Sequence, residues 1–237
     1  TFAEGTTTIG TGMFFSQTGF PKLTTVTLPD SFKNSVTSIA DRSFYNCPAL
    51  TTLNLGKITY AGEYAFYSCV SLENNGGEER VLPRELVSLG ERAFYNCKSL
   101  EIVNVSKGLV TIPEEAFSHC EKLETISYDA DGALTTIGEN AFSYCTSLKT
   151  ATLPVKLAER EYAEYDEDGK VTNVVNDTTG LIKNPFYGCS SLTAYVFAGD
   201  TDGTLTAEDG VVYRSLSDDD ANAGVLNGKK ARAIYAY

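Results

Sequence analysis

The stretch "AFYNCKSLEIVNV", residues 93–105, decides the fold. In it a phenylalanine, Phe94, is followed three residues later by a cysteine and six residues later by a leucine, and an alternating apolar run comes after. The same arrangement returns as FYNCPAL, FYSCVSL, FYNCKSL, FSHCEKL, FSYCTSL and FYGCSSL, starting at Phe44, Phe66, Phe94, Phe117, Phe142 and Phe186. All six cysteines of the chain, Cys47, Cys69, Cys97, Cys120, Cys145 and Cys189, therefore hold one equivalent position. Their separations of 22, 28, 23, 25 and 44 residues fit a unit of about 23 residues carrying a short insert in one interval and a long one in another.

Positions around each Phe repeat as well. Five residues earlier stands an aliphatic residue (Ile39, Ala61, Leu89, Ile112, Ile137, Leu181), and one earlier a small one (Ser43, Ala65, Ala93, Ala116, Ala141), Pro185 excepted. Gly10, Gly62, Gly90 and Gly138 lie four before their Phe, where a turn needing positive φ would favour glycine. After the leucine, LTTLNL (50–55), LEIVNV (100–105), LETISY (123–128) and LKTATL (148–153) alternate at the period of a strand with one buried face. TTIGTGMF (7–14) aligns with TTIGENAF (135–142), so a first copy exists, with Gln17 in place of the cysteine; seven units are visible. No unit of this size buries its own apolar face, so the repeat predicts stacked turns about 4.8 Å apart with the Phe, Leu and Ile/Val columns inside.

The net charge of −12 argues against nucleic acid or an anionic membrane surface as the main partner, and no basic stripe offsets it. No apolar run approaches the ~18 residues that cross a bilayer, so direct membrane insertion is not expected.

Chemistry-bearing residues read mostly as structure. Cysteines at one interior spot of every turn have parallel Cβ vectors, poorly oriented for bridging, so buried free thiols donating weakly to loop carbonyls are expected. No C-x-x-C pair or Cys/His cluster suggests a metal, and no cofactor is implied. His119, the single histidine, falls at the variable position between Phe and Cys and reads as a surface residue without a triad around it. The acidic runs EREYAEYDEDGK (159–170) and SDDD (217–220) read as solvated turns, which leaves an acidic-residue glycosidase a remote alternative.

Three surfaces are candidates for contact with a ligand. Tyr45, Tyr67, Tyr95 and Tyr187 directly follow their Phe and form a broken aromatic row, suited to anchoring a partner, stacking on sugars, or simply packing between turns. Thr25, Thr27, Thr52, Asn54, Asn104, Thr125, Thr150 and Thr152 are the outward residues of the strands. The insert near 158–180 alternates around Asp-Gly and reads as a β-hairpin carrying Tyr162 and Tyr165; with the shorter insert near 73–80 it is the expected seat of specificity.

With these residues laid out, the chain resembles the BspA-like leucine-rich-repeat family of bacterial cell-surface proteins, whose repeats read approximately L-x-x-I-x-L-P, then I-G-x-x-A-F-x-x-C. The likeness covers roughly Thr7 to Phe197. It implies an α/β, β-rich repeat solenoid: curved and right-handed, with one parallel sheet and short helical or 3-10 turns. It also implies a secreted or surface location and a noncatalytic role in adhesion or in recognising a protein or glycan; no catalytic residue is carried over. Residues 209–237, opening DGVVY, resemble the hairpin that often accompanies such repeats, with Val211 to Tyr213 and Ala231 to Tyr237 as its strands. The expected organisation is a solenoid of about seven turns over residues 1–197 and a hairpin or cap over 198–237 packed on the last turn. A rigid spacer within a larger surface protein is the alternative role, and the oligomeric state is left open.

Overall fold

The computed structural model describes residues 7–15, 20–27, 36–54, 57–73, 82, 85–128, 131–154, 163–165, 171–174, 185–192, 194–198, 205–208, 211–215, 224–226 and 229–236. The repeats form a β-solenoid, and its coils are numbered 1 to 7 by their column phenylalanines, Phe14, Phe44, Phe66, Phe94, Phe117, Phe142 and Phe186. Their rings stack in one continuous pile, from Phe14–Phe44 at 4.9 Å and 11° to Phe142–Phe186 at 5.5 Å and 5°. Such contacts add roughly 0.5–1.5 kcal/mol each beyond the area they bury.

Around this pile run the other interior columns. Ile9, Ile39, Ala61, Leu89, Ile112 and Ile137 are buried, as are Leu50, Leu72, Leu100, Leu123 and Leu148. A further column, Val36, Ile58, Leu86, Leu109 and Leu134, lies eight residues before each Phe and is equally buried. It escaped the sequence reading because it follows loops of unequal length.

Among the described residues the coils contribute to two parallel ladders, where the sequence led us to expect one sheet. Thr25–Thr27 pairs with Thr52–Asn54, and Ile102–Val105, Thr125–Tyr128, Thr150–Pro154 and Ala194–Ala198 form the continuation of that face. The second ladder consists of two-residue strands ending at the aliphatic position five before the Phe: Thr8–Ile9, Ser38–Ile39, Tyr60–Ala61 and Ser88–Leu89 pair in series, and Thr111–Ile112 pairs with Thr136–Ile137. A position that the repeat pattern marked as merely buried is thus also hydrogen-bonded to the next coil.

Between the two ladders the chain turns a corner, and this corner is not helical. Among the described residues no α-helix or 3-10 helix occurs; hydrogen-bonded turns take their place. In coil 3, Ala65 N–H donates to Gly62 O at 3.3 Å and Cys69 N–H to Phe66 O at 3.1 Å. The third residue of each turn is left-handed. Arg42, Tyr64, Arg92, Glu115 and Asn140, two before the Phe, and Asn46, Ser68, Asn96, His119 and Tyr144, two after it, all have φ between 50° and 61°. Non-glycine residues pay about 1–2 kcal/mol for that conformation, and even a single such residue interrupts a right-handed helical turn. The compensation is an amide ladder between coils: Tyr64, Phe66 and Ser68 donate N–H bonds of 2.9, 2.7 and 2.8 Å to Glu91, Ala93 and Tyr95 carbonyls, and the coils on either side repeat the pattern.

The glycines four before the Phe serve a different purpose from the one expected. None of Gly10, Gly62, Gly90 and Gly138 has positive φ; the positive-φ glycines among the described residues are Gly12 and Gly188. What Gly90 provides is closeness, since a Cβ there would sit 2.3 Å from Glu63 N and 2.4 Å from Gly62 C. Gly62 and Gly138 are similarly pressed against the coil before, whereas a Cβ on Gly10 would meet only Met13 Cε at 4.0 Å.

Beyond the repeats, Ala163–Tyr165 pairs antiparallel with Val171–Val174, the hairpin expected of the long insert. The C-terminal region is more than one hairpin: Val211–Ser215 pairs with Lys229–Ala236, and Leu205–Glu208 and Gly224–Leu226 extend it to a four-stranded antiparallel sheet. The expected packing of this cap on the last turn, and residues 74–80 of the short insert, lie outside the described residues. No helix among the described residues is long and apolar enough to cross a membrane.

Candidate functional site

The thiols come first, because the repeat made them conspicuous. Each Sγ points at the carbonyl of the preceding coil's column phenylalanine: Cys69 to Phe44 at 3.2 Å, Cys97 to Phe66 at 3.2 Å, Cys120 to Phe94 at 3.4 Å, Cys145 to Phe117 at 3.3 Å and Cys189 to Phe142 at 3.1 Å. Cys47 reaches Phe14 O at 3.7 Å. All six are free, and five are buried, with Cys189 partly covered. Burial pushes the Cys120 thiol up to about 12 and holds Cys69, Cys97 and Cys145 well above the ordinary thiol range. A neutral, inaccessible thiol is a packing and hydrogen-bonding group rather than a nucleophile.

On the outside of the corner three rows of side chains run along the solenoid. The residue after the Phe supplies the first: Tyr45 stacks on Tyr67 at 4.8 Å and 3°, and Tyr67 on Tyr95 at 4.8 Å and 4°. Two before the Phe lies the second row, where Arg42 sits over the Tyr64 ring at 4.8 Å and Arg92 donates to Tyr64 Oη at 3.2 Å. Arg92 also donates Nε to Glu115 Oε2 at 3.0 Å and Nη2 to Glu114 Oε1 at 2.7 Å. Hydrogen bonding to Glu115 is the chief cause holding the Arg92 guanidinium above its usual range. Two after the Phe lies the third row, in which Asn96 Nδ2 donates to Ser68 Oγ at 3.0 Å.

In coils 5 and 6 the pattern changes. The residue after the Phe is serine in both, Ser118 and Ser143, and their hydroxyls are buried and hydrogen-bonded to each other at 2.7 Å. The aromatic has moved one place along, to His119 and Tyr144. Their left-handed backbone turns these rings back toward the first row: Tyr95 and His119 lie 5.2 Å apart, and His119 stacks on Tyr144 at 4.6 Å and 14°. In coil 7 Tyr187 returns to the original place and meets the Tyr144 ring edge-on at 5.5 Å and 90°. Gly188 makes this possible, with φ of 73° and a missing Cβ that would stand 2.7 Å from Tyr144 Cδ1.

The exchange opens a cavity of about 360 Å³ where two tyrosines of the first row would otherwise sit. Tyr95 and Tyr187 close its ends, the Ser118–Ser143 pair forms the floor, Glu115 and Asn140 line one flank, and His119 and Tyr144 the other. Backbone bonds lock it: Ser118 N–H donates to Glu115 O at 3.1 Å, Ser143 N–H to Asn140 O at 3.0 Å, His119 N–H to Ser143 O at 2.8 Å and Tyr144 N–H to Tyr187 O at 2.7 Å. Burial first, and the Glu115 carboxylate second, push the Tyr95 phenol up, so it stays a protonated donor.

The aromatic row expected from the sequence is therefore present in Tyr45, Tyr67 and Tyr95, while Tyr187 stands apart from them across the cavity. His119 is not a plain surface residue: it is half-buried and continues the row. With Tyr144, Ser118 and Ser143, it is part of what sequence reasoning missed. The signal was present as FSHC and FSYC against FYNC. The strand threonines are in register as an outward ladder, Thr25 opposite Thr52, and Thr125 opposite both Ile102 and Thr150. Thr27 pairs with Asn54 and Thr152 with Val196. Ser127 donates to Asn104 Oδ1 across this face. Tyr165 lies in the insert hairpin, and Tyr162 lies outside the described residues.

The model of the BspA type leucine rich repeat region matches residues 1–77 and 76–193, in six copies. No curated protein matches the sequence. Among solved structures, a leucine-rich cell-surface protein of Faecalibacterium prausnitzii superposes with a TM-score of 0.58 at 24% identity, over 82% of this chain and 43% of that one. This chain thus spans less than half of that protein's length. The pneumococcal vaccine antigen PcpA superposes with a TM-score of 0.44 at 18% identity, over 88% of this chain and 40% of the antigen. The likeness to the Faecalibacterium protein concerns the fold alone.

Proposed function

The chain belongs to the BspA-type leucine-rich-repeat family, and from that premise we propose that it is a noncatalytic, extracellular recognition or adhesion module that holds a protein or glycan against its repeat surface. The observation that carries this reading is the contrast between a uniform interior and rows of exposed or half-exposed aromatic side chains on one outer corner, with Tyr144 41% and Tyr187 54% accessible. Aromatic side chains anchor interfaces at low entropic cost, and a stacked backbone ladder holds them in place before any partner arrives. The family and the cell-surface protein that shares the fold support a surface location.

The test is a binding screen of the whole chain against immobilised extracellular-matrix proteins and oligosaccharides, followed by deletion of residues 158–180 and, separately, by Tyr67→Ser with Tyr95→Ser. Loss of binding in the tyrosine variant places the contact on the outer corner. Loss only on deletion moves it to the insert, and no binding to any of the panel rejects the role.

A further inference from the structure

We propose that the cavity between Tyr95 and Tyr187 is a binding subsite for one neutral pyranose residue of a glycan. The proposal deepens the recognition reading above and rests on it.

Four features of the cavity select that chemistry. Its size, about 360 Å³, is at the small end of the roughly 300–1,000 Å³ usual for small-molecule sites. A protein partner covers on the order of 800 Å² of surface, far more than this hollow offers, so what enters is a small unit. Aromatic groups on the end walls and the flank meet a floor of hydroxyls, with the Asn140 amide and the His119 imidazole alongside. A pyranose has this duality, a face of C–H groups bordered by a rim of hydroxyls, whereas an aliphatic or aromatic side chain would leave the polar floor without use.

Charge narrows the class further. The carboxylate facing the cavity, Glu115, accepts from Arg92 through both oxygens, at 3.0 and 3.1 Å. A cationic ligand would compete with a partner already in place, and an anionic one would face a chain of net charge −12. An uncharged ligand meets neither obstacle. Finally, the cavity is two coils wide between Tyr95 and Tyr187, which stand three coil steps or roughly 14 Å apart, and it opens to solvent above its floor. A sugar within a chain can be seated while its neighbours extend along the corner, over Tyr67 and Tyr45.

The test uses the intact chain and saturation-transfer NMR with the methyl glycosides of glucose, galactose, mannose, fucose, N-acetylglucosamine and N-acetylgalactosamine as single probes, and free sialic acid as an anionic control. At least one neutral probe saturates with a dissociation constant of roughly 1 mM or tighter, and sialic acid does not. Tyr144→Ala weakens that probe roughly tenfold or more. The quadruple change Ser118→Tyr, His119→Asn, Ser143→Tyr and Tyr144→Asn, which gives coils 5 and 6 the sequence of coil 4, abolishes it without lowering the unfolding midpoint. If that variant does not fold, Tyr144→Ala decides alone. Unaltered binding in a folded filled variant, or in Tyr144→Ala, overturns the proposal. So does a chain that binds a matrix protein but none of the neutral probes, and that result leaves the recognition reading intact. Binding to neither sugars nor proteins removes both.

Discussion

In coils 2 to 4 the residue after the column phenylalanine is a tyrosine, and Tyr45, Tyr67 and Tyr95 lie ring on ring at 4.8 Å with planes 3° and 4° apart. In coils 5 and 6 it is a buried serine, and the ring has moved to the next residue. Inside, one pile runs through both blocks: Phe44–Phe66 and Phe117–Phe142 stack at 5.3 Å, at 4° and 7°, and Phe66–Phe94 at 4.9 Å and 20°. The lesson is that the interior of this solenoid is insensitive to an exchange of two neighbouring outer residues, and that the exchange alone turns a continuous wall into a hollow. The interior and the outer corner are written at different positions of the same seven-residue motif.

The largest effect tests whether the two blocks are one folding unit. Cys97 in coil 4 and Cys120 in coil 5, one from each block, keep their protons in the folded chain well past the point where an unfolded thiol, at about 8.5, releases its own. Above that point the unfolded state binds fewer protons, so stability falls as pH rises and is fully present below it. Each thiol contributes a slope of about 1.4 kcal/mol per pH unit until its folded-state value is reached. Denaturant unfolding followed from pH 8 to 11 should lose stability steeply in a single transition, and Cys120→Ala should lessen the slope. Two transitions would divide the blocks.

Next, Phe66→Ala in coil 3 and Phe117→Ala in coil 5 should each cost about 4 kcal/mol, because both rings are stacked on two sides and shut from water. A difference of more than about 1 kcal/mol between them, against experimental scatter from local relaxation, would break the claim of a uniform interior. Gly90→Ala follows at about 3 kcal/mol, since its Cβ would strike backbone of the previous coil; Gly10→Ala, facing open space, should be close to neutral. Chemical denaturation of each variant measures both pairs. The smallest effect separates the outer rows: Tyr67→Ser, removing a ring stacked on two tyrosines, should cost about 1 kcal/mol, and Tyr144→Ser, removing a more exposed ring that stacks on His119 and meets Tyr187 edge-on, somewhat less.

Much of this architecture was legible. The Phe, Leu, Cys and aliphatic columns and the hairpin in the long insert followed from spacing and alternation. The C-terminal hairpin, expected over Val211 to Tyr213 and Ala231 to Tyr237, came from the family resemblance and is found as Val211–Ser215 with Lys229–Ala236. The left-handed corners were not, because residues such as Arg42, Tyr64, Arg92 and Glu115 carry no turn signature; the amide ladder between coils, which no single repeat contains, imposes their conformation. The glycines were read as turn formers for the same reason, since their real constraint is a neighbour 21 to 28 residues away in the chain. The cavity stayed hidden because a ring one residue further on rejoins the aromatic row only through the left-handed geometry of His119 and Tyr144.

One measurement in the phenylalanine pile reaches beyond this chain. Phe142 and Phe186 are separated by 44 residues, Phe117 and Phe142 by 25, yet the two pairs stack at 5.5 and 5.3 Å with almost the same tilt. The pile works as a ruler that does not register how much sequence is spent between its marks. Lengths of polypeptide inserted between coils hang from it without moving it, so a lineage can lengthen, shorten or exchange these loops freely while every other coil keeps its place.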